Sequence, residues 1–477
     1  MTKYTINRAY DVDDFRKTGH ALVDLLADHL QVLNDNPNEL VIRYRNPDET
    51  LQFWQADLEA SKEGNDNQLD FFRNVLNQCI NVQHQRYMGH QVSVPAYTSA
   101  LSGLMTDLLS NGTGVFEMGM ASNAMERIVT DFLAKKIGFD TNSTGFLTSG
   151  GTLANLTAML AARRAASADV WENGHTEKLG IMVSAEAHYC IDRAARIMGF
   201  GEDGVIKVPV DEKFRIDPGQ LEAVWQKTKA DGIKIIALVG CTCSTATGSF
   251  DNLEALAEFT AQKGIWFHVD AAHGGCVVFS KKYKHLARGI ERADSVVVDF
   301  HKMLMTPSLN TALIFKRGED SYKTFTQKAQ YLWDAEKIPE WYHSGKRTFE
   351  CTKLMMSIKV YSILRTYGES IFEENVDILF DNARTFARII EDRKGFEIAL
   401  EPEANIVNFR LVESSDERSN TINGLIRDAL IESGRFFTVQ TVIKGIRYLR
   451  TSIMHPFTTE DDFHALLDEI EHLRVNL

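Results

Sequence analysis

Five short runs of consecutive apolar residues constrain this chain most. They are Gly180-Ile-Met-Val-Ser184, Ile235-Ile-Ala-Leu-Val-Gly240, Ile265-Trp-Phe-His-Val-Asp270, Ser295-Val-Val-Val-Asp299 and Ala312-Leu-Ile-Phe315. Each is too short for an ordinary helix, rich in β-branched or aromatic residues, and hydrophobic at adjacent rather than alternate positions. Both faces of each run therefore need cover, which is the pattern of strands inside a parallel sheet. Helical patterns separate the runs from about Asn81 to Thr366, so the expected class is α/β, a mostly parallel central sheet with helices on both faces.

The flanks read differently. After Asp11-Val-Asp-Asp, whose acids suit a helix dipole, Phe15, Leu22, Leu25, Leu26, Leu30 and Leu33 fall on one helical face that needs the main body or a second subunit to cover it. Residues 36–70 are polar and mixed, a connection plus a short helix. Toward the end, Ala404 to Arg410 reads as a strand, 420–433 as an amphipathic helix, and 438–443 with 446–450 as hairpin partners. Thr459 then caps a final helix with Phe463, Leu466, Leu467, Ile470 and Leu473 inward. The expected division is a helical segment over 1–80, a large domain over 81–366 and a small α+β domain over 367–477.

Composition excludes some partners. A formal charge of −13 argues against nucleic acid and anionic membrane surfaces. No stretch approaches the roughly 18 apolar residues of a membrane span. The start, Met1 to Arg8, has no apolar core of a signal peptide. Cys79, Cys190, Cys241, Cys243, Cys276 and Cys351 form no paired framework, which suggests a reducing cytoplasm. Cys241-Thr-Cys243 is too tight for a zinc knuckle and lacks a second ligand pair, so no metal is expected.

Chemistry gathers where the apolar runs end. Asp299-Phe-His301-Lys302 closes one run, and Val269-Asp270-Ala271-Ala272-His273 closes another. A lysine held on a rigid element away from bulk water can condense with an aldehyde. A buried carboxylate beside a heterocyclic nitrogen keeps that nitrogen protonated, as pyridoxal phosphate requires of its ring. Phe146-Leu-Thr-Ser-Gly-Gly151-Thr152 opens straight into a strong helix pattern, and glycines at a helix start let backbone N–H groups approach an anion. His188, in Ser184-Ala-Glu-Ala-His188, stands just past a strand end, where an imidazole can stack on an aromatic ring. The hydroxyls of Cys243-Ser-Thr245-Ala-Thr-Gly-Ser-Phe-Asp-Asn252 follow another strand. Glu340-Trp-Tyr342-His-Ser-Gly-Lys-Arg-Thr-Phe-Glu-Cys-Thr-Lys353 begins without periodicity and reads as a mobile loop.

Thr-Ser-Gly-Gly-Thr, Ala-Glu-Ala-His, Ser-Phe-Asp-Asn, His-Val-Asp-Ala-Ala and His-Lys-Met, in this order, resemble the group II pyridoxal phosphate-dependent amino-acid decarboxylases. That family includes glutamate, cysteine sulfinate, diaminobutyrate and aromatic amino-acid decarboxylases. The resemblance runs from Gln85-Arg-Tyr-Met-Gly-His90 to Leu449-Arg-Thr-Ser-Ile-Met-His-Pro-Phe-Thr-Thr-Glu460 and so covers most of the chain. It implies fold type I, a homodimer with active sites at the subunit interface, and α-decarboxylation of an L-amino acid to its amine and CO₂. Lys302 would form the Schiff base, Asp270 would bind the ring nitrogen, and His188 and Ala272 would pack on the two ring faces. Gly151, Thr152 and His301 would hold the phosphate, and Thr245 would approach the ring substituents. Tyr342 matches a loop tyrosine that protonates the substrate's α-carbon, and Lys353 matches an arginine that binds the α-carboxylate.

This chain departs from the family pattern in five places. Asp299 stands where many members have the asparagine of Asn-Pro-His-Lys. A carboxylate facing a phosphate dianion is repelled, so Asp299 is expected to turn away. Cys243-Ser-Thr245 replaces a Gly-Thr-Thr, and Lys353 keeps the arginine's charge without its two-pronged grip. Asn111-Gly-Thr-Gly-Val-Phe-Glu117 has glycines in a substrate-contacting segment of glutamate decarboxylases. His90 replaces a glutamine of that group and looks more like the diaminobutyrate branch, which points toward a diamino or small polar substrate. An aminotransferase or a decarboxylating aldehyde synthase on the same fold is the alternative reading. Retained Tyr342 and His188 favour simple decarboxylation over the aldehyde synthase.

Overall fold

The computed structural model describes residues 5–64, 67–325 and 340–475. Contacts gather the chain into two compact units. The first holds Met1–His90, Arg388–Ala399 and Asn408–Leu477, and the second holds Gln91–Ala387 and Leu400–Val407. The N-terminal helices, expected as a segment of their own, thus share a unit with the C-terminal strands.

The second unit is built on seven strands: β1 (Thr144–Thr148), β2 (Lys178–Ser184), β3 (Val205–Val208), β4 (Ile233–Cys241), β5 (Trp266–Asp270), β6 (Ser295–Asp299) and β7 (Thr311–Phe315). Their order in the sheet is β1-β7-β6-β5-β4-β2-β3. Pairs among β2 to β6 are parallel, and β7 runs antiparallel to both β1 and β6. The mostly parallel α/β reading therefore holds, and all five apolar runs are strands. β1 and β3 were not expected, because both are edge strands. β3 is partly exposed, and its lysine interrupts the apolar pattern. β1 is only Thr-Gly-Phe-Leu-Thr, short and polar at both ends.

Register brings the functional ends together. Thr148 of β1 and Asp299 of β6 both stand opposite Thr311 of β7, while Asp270 of β5 pairs with Cys241 of β4 and with Val297 of β6. The carboxyl ends of the parallel strands thus form one rim, the customary ligand edge of an open α/β sheet.

The C-terminal part of the chain forms a four-stranded sheet in the order β10-β11-β9-β8. Its strands are β8 (Phe396–Ile398), β9 (Ile406–Leu411), β10 (Val439–Ile443) and β11 (Ile446–Ser452), with β10 and β11 forming the expected hairpin. Helix Val12–Asp35 starts where Asp11 accepts hydrogen bonds from the Asp13 and Asp14 N–H groups. Of its expected apolar stripe only Leu33 is buried, while Phe15 is 54% and Leu26 40% exposed.

A buried polar chain ties β5 to its neighbours. Trp266 Nε1 donates to Ser295 Oγ at 2.9 Å, and Ser295 Oγ lies 2.8 Å from His268 Nδ1. His268 Nε2 lies 2.8 Å from Asn155 Oδ1, on helix Gly151–Ala166. Burial lowers the imidazole from 6.5 to about 4 against the opposing pull of Asp270. The folded state thus favours neutral His268, so this stability is complete above pH 6.5 and is lost as pH falls toward 4. That difference corresponds to about 3 kcal/mol. Urea unfolding between these pH values should show the loss in wild type and a shallower slope in His268→Gln; equal slopes would remove His268 as the cause.

Candidate active site

The glycine turn follows directly from β1. Gly150 adopts φ +126°, a conformation that L side chains rarely take, and it precedes helix Gly151–Ala166 without supplying a side-chain cap. The first N–H groups of a helix lack intrahelical acceptors, so the Gly151 and Thr152 amides open toward the rim. The space above Gly151 is shaped by other site residues. A Cβ there would lie 3.4 Å and 3.5 Å from the Asp299 carboxylate oxygens and 3.6 Å from Ala272 Cβ.

Asp299 does not turn away. Its buried carboxylate takes a hydrogen bond from Thr311 Oγ1, and Oδ2 lies 2.9 Å from Lys302 Nζ and 3.7 Å from His301 Nε2. Two short-range effects account for this: Thr311 of β7 pins one oxygen, and the lysine three residues on reaches back to the other. Burial raises the Asp299 carboxyl, but Lys302, His301 and the hydrogen bonds outweigh it and leave it below its ordinary value. Burial likewise works against the Lys302 ammonium, yet Asp299, then Asp270 and Cys243, hold it above the usual lysine value. The lysine is still 20% exposed along its side chain, so a ligand can reach it.

Asp270, at the end of β5, accepts from the Ala272 N–H at 3.2 Å and lies 3.9 Å from Cys190 Sγ. Cys190 in turn receives Asn155 Nδ2 at 3.5 Å, so the buried chain from Trp266 extends to the Asp270 carboxylate. His188 precedes Cys190, and its Nδ1 lies 3.3 Å from the Cys190 N–H. Burial lowers the His188 imidazole, opposed by Asp270 and assisted by Lys302, which favours the neutral ring. His301 uses Nδ1 toward Asn310, 2.9 Å from its carbonyl. Thr245 sits in a turn held by hydroxyl contacts of Thr247 with Ser244 at 2.6 Å and with Ser249 at 2.8 Å. Lys302, Asp270, His188, Gly151, Ala272 and His301 are thus brought to one rim. Sequence reasoning missed Cys190 and Thr311 and misjudged Asp299. The cysteine's spacing of two from His188 was the one available signal.

Lys353 is placed differently from its expected role. Its Nζ lies 2.7 Å from both Glu126 carboxylate oxygens and 2.8 Å from the Leu147 carbonyl, which uses all three ammonium donors. Burial lowers this ammonium, and Glu126 opposes the shift. In this arrangement Lys353 is an internal ion-pair partner and has no donor left for a substrate carboxylate.

The stretch expected as a mobile loop is anchored from Tyr342 onward. Asn123 Nδ2 donates to the Tyr342 carbonyl at 2.5 Å, the Phe116 N–H to His343 Nδ1 at 3.1 Å, and the Gly345 N–H to the Gly114 carbonyl at 2.9 Å. A Cβ on Gly114 would lie 2.1 Å from the Cys351 carbonyl oxygen. That close approach explains a glycine in 111–117. The Tyr342 hydroxyl lies 3.3 Å from Glu340, and burial, followed by the Glu340 charge, raises the phenol above its ordinary value. His90 belongs to the first unit, its ring 5.8 Å from Phe437. Burial, then Arg450 and Arg427, hold its imidazole below the usual value.

A partly buried lysine at the rim, a carboxylate supported by donors, a neutral imidazole and an open helix start match the needs of pyridoxal phosphate. The fold and these residues define a Schiff-base enzyme of the α/β class. The model of the pyridoxal-dependent decarboxylase conserved domain matches residues 47–412. The chain belongs to that family and is a pyridoxal phosphate-dependent amino-acid decarboxylase. It is 28% identical to the human acidic amino acid decarboxylase GADL1, over 96% of this chain and 91% of that protein. It is 26% identical to the L-2,4-diaminobutyrate decarboxylase of Acinetobacter baumannii, over 86% of this chain and 85% of that one. The crystal structure of mouse CSAD superposes with a TM-score of 0.91 at 25% identity, covering 98% of this chain and 100% of that chain.

Breaking the Lys353–Glu126 pair strands a buried charge, so Lys353→Met alone should cost about 3–5 kcal/mol in denaturant unfolding. Lys353→Met with Glu126→Leu should recover most of that loss. A single variant as stable as wild type would contradict the closed pair.

Proposed function

We propose that this chain decarboxylates a small L-amino acid with a polar or cationic side chain, using Lys302 as the amine that carries the cofactor. The observation that carries the assignment is Lys302 Nζ, partly exposed at the rim and paired with Asp299 at 2.9 Å. Bound pyridoxal phosphate supplies a carbonyl that condenses with amines and a protonated ring that accepts the electron pair left by CO₂. Everything else is the work of the chain. Asp270 keeps the proton on the ring nitrogen, aided by the donors that end on its carboxylate. Neutral His188 and Ala272 cover the ring faces, and Thr245 bounds the ring substituents. Gly151, Thr152 and His301 bind the phosphate. Tyr342 delivers a proton to the substrate's α-carbon, its raised phenol remaining protonated at neutral pH.

Two features support a cationic side chain over a second carboxylate. Lys353 is paired with Glu126, so it adds no free positive charge that would favour an acidic side chain. Glu350 accepts from Ser149, beside the glycine turn, with one oxygen at 2.6 Å, while its other oxygen is buried with no hydrogen-bond partner among the described residues. The likeness to an L-2,4-diaminobutyrate decarboxylase, and His90 as a residue resembling that branch, support the same substrate class. The uncovered face of helix Val12–Asp35 supports a homodimer with sites at the interface. Six cysteines held as thiols suit a cytoplasmic enzyme.

Release of CO₂ from a panel of L-amino acids tests this reading. Diaminobutyrate should exceed glutamate, and Glu350→Gln should narrow that preference about tenfold, as expected for one lost charge contact of about 1.4 kcal/mol. Preference for glutamate in both forms would refute the substrate assignment. Lys302→Ala should abolish turnover together with the visible Schiff-base absorbance; persistence of that absorbance would refute the lysine's role.

A further inference from the structure

Asp299 presents a charge problem that the proposed function leaves unsolved. Its carboxylate faces both the lysine that must become a neutral nucleophile and the glycine turn that must hold a phosphate. The distances are 2.9 Å to Lys302 Nζ and 3.4–3.5 Å to the position a Gly151 Cβ would occupy. Thr311 Oγ1 holds one oxygen in place from the neighbouring strand, so the side chain is not free to swing aside. With the site in this state the ion pair is balanced. Once the Lys302 amine is committed to a carbonyl carbon, Asp299 is left as a buried anion beside a second anion, an arrangement that costs several kcal/mol.

We propose that Asp299 is the charge counterweight of the cofactor site: it accepts the proton that Lys302 gives up on loading and then, as a neutral acid, donates a hydrogen bond to the cofactor phosphate. An N–H bond of the ammonium breaks, its electron pair stays on nitrogen as the nucleophile, and an O–H bond forms at Asp299 Oδ2. Nothing is oxidised or reduced, and the charge of the pair is zero before and after. Thr311 keeps Oδ1 engaged, which leaves the protonated oxygen aimed at the rim.

Before loading, despite burial, Lys302 and His301 hold Asp299 below its ordinary value, and Asp299 holds Lys302 above its own. The proton therefore moves only once the phosphate arrives and the ammonium is consumed. His301 lies 3.7 Å away on the same segment, and Lys302 supplies the only close ammonium among the described contacts. His188 and Cys190 from the turn after β2 feel its charge, while Asp270 and Cys243 act on Lys302 from the ends of β5 and β4. A neutral His188 and a Cys190 thiol raised by burial, then Asp270, add no competing cation. The inference rests on the cofactor site assigned above but adds a role for a residue that the Asn-Pro-His-Lys pattern does not contain.

The test removes the lysine so that only Asp299 and the phosphate remain to titrate. Lys302→Ala and Lys302→Ala/Asp299→Asn apoproteins are dialysed against pyridoxal 5'-phosphate between about pH 6 and 9. One bound proton changes affinity by up to about tenfold per pH unit. Lys302→Ala should lose affinity as pH rises, relative to the double variant, because Asp299 must keep a proton to tolerate the phosphate. The double variant should bind more tightly at the alkaline end, since an asparagine amide donates at every pH. Matching pH profiles and affinities in the two variants would overturn the proposal while leaving the cofactor assignment intact. Failure of both to bind would instead strike the assignment itself. Should the double variant not fold, wild-type and Asp299→Asn apoproteins titrated with inorganic phosphate give a second contrast. Tighter binding by Asp299→Asn above about pH 8 supports the proposal, and equal binding overturns it.

Discussion

A partly buried ammonium beside a buried carboxylate organises this protein. Lys302 and Asp299, 2.9 Å apart at the end of β6, are each out of place alone in an apolar strand rim. Desolvating either charge costs several kcal/mol, and their pairing offsets that only because Thr311 and His301 take up the remaining positions. The sheet makes such a pairing possible. Its parallel strands end together, so side chains far apart in the sequence meet over a short edge without any one loop having to span the distance.

Behind the rim, polarity is passed inward in one direction. The Trp266 indole N–H donates to Ser295, which faces His268; His268 faces Asn155, Asn155 donates to Cys190, and Cys190 faces Asp270. Every member has a partner, which is the condition under which a buried polar network rigidifies a core instead of weakening it. The network also links helix Gly151–Ala166 with the strand that ends in Asp270. In the proposed reading, the groups that would orient the cofactor are thereby held by core packing.

The legible parts of this site were those whose chemistry is local to one strand end. Lys302, Asp270, His188 and the glycine turn each sit within a few residues of an apolar run, so the run that predicts the strand also predicts where the side chain emerges. The strands themselves were readable where both faces are buried, and were missed in β1 and β3, where edge position shortens or interrupts the pattern. What failed depended on partners distant in sequence. Glu126 claims Lys353 across 227 residues, and no spacing rule anticipates such a pair. The glycines of 111–117 looked like a change in substrate contacts, but the Cys351 carbonyl presses against one of them. Asp299 was misjudged because repulsion from a phosphate was weighed without the lysine and threonine that hold it in place.

The proposed role of Lys302, as the single amine that carries the cofactor's carbonyl carbon, has a direct test. Reducing the loaded enzyme with borohydride fixes that bond permanently, and peptide mapping by mass spectrometry then locates it. One phosphopyridoxyl adduct is expected, on the peptide containing His301-Lys302-Met303. An adduct on Lys353 or another lysine, with Lys302 unmodified, would contradict it.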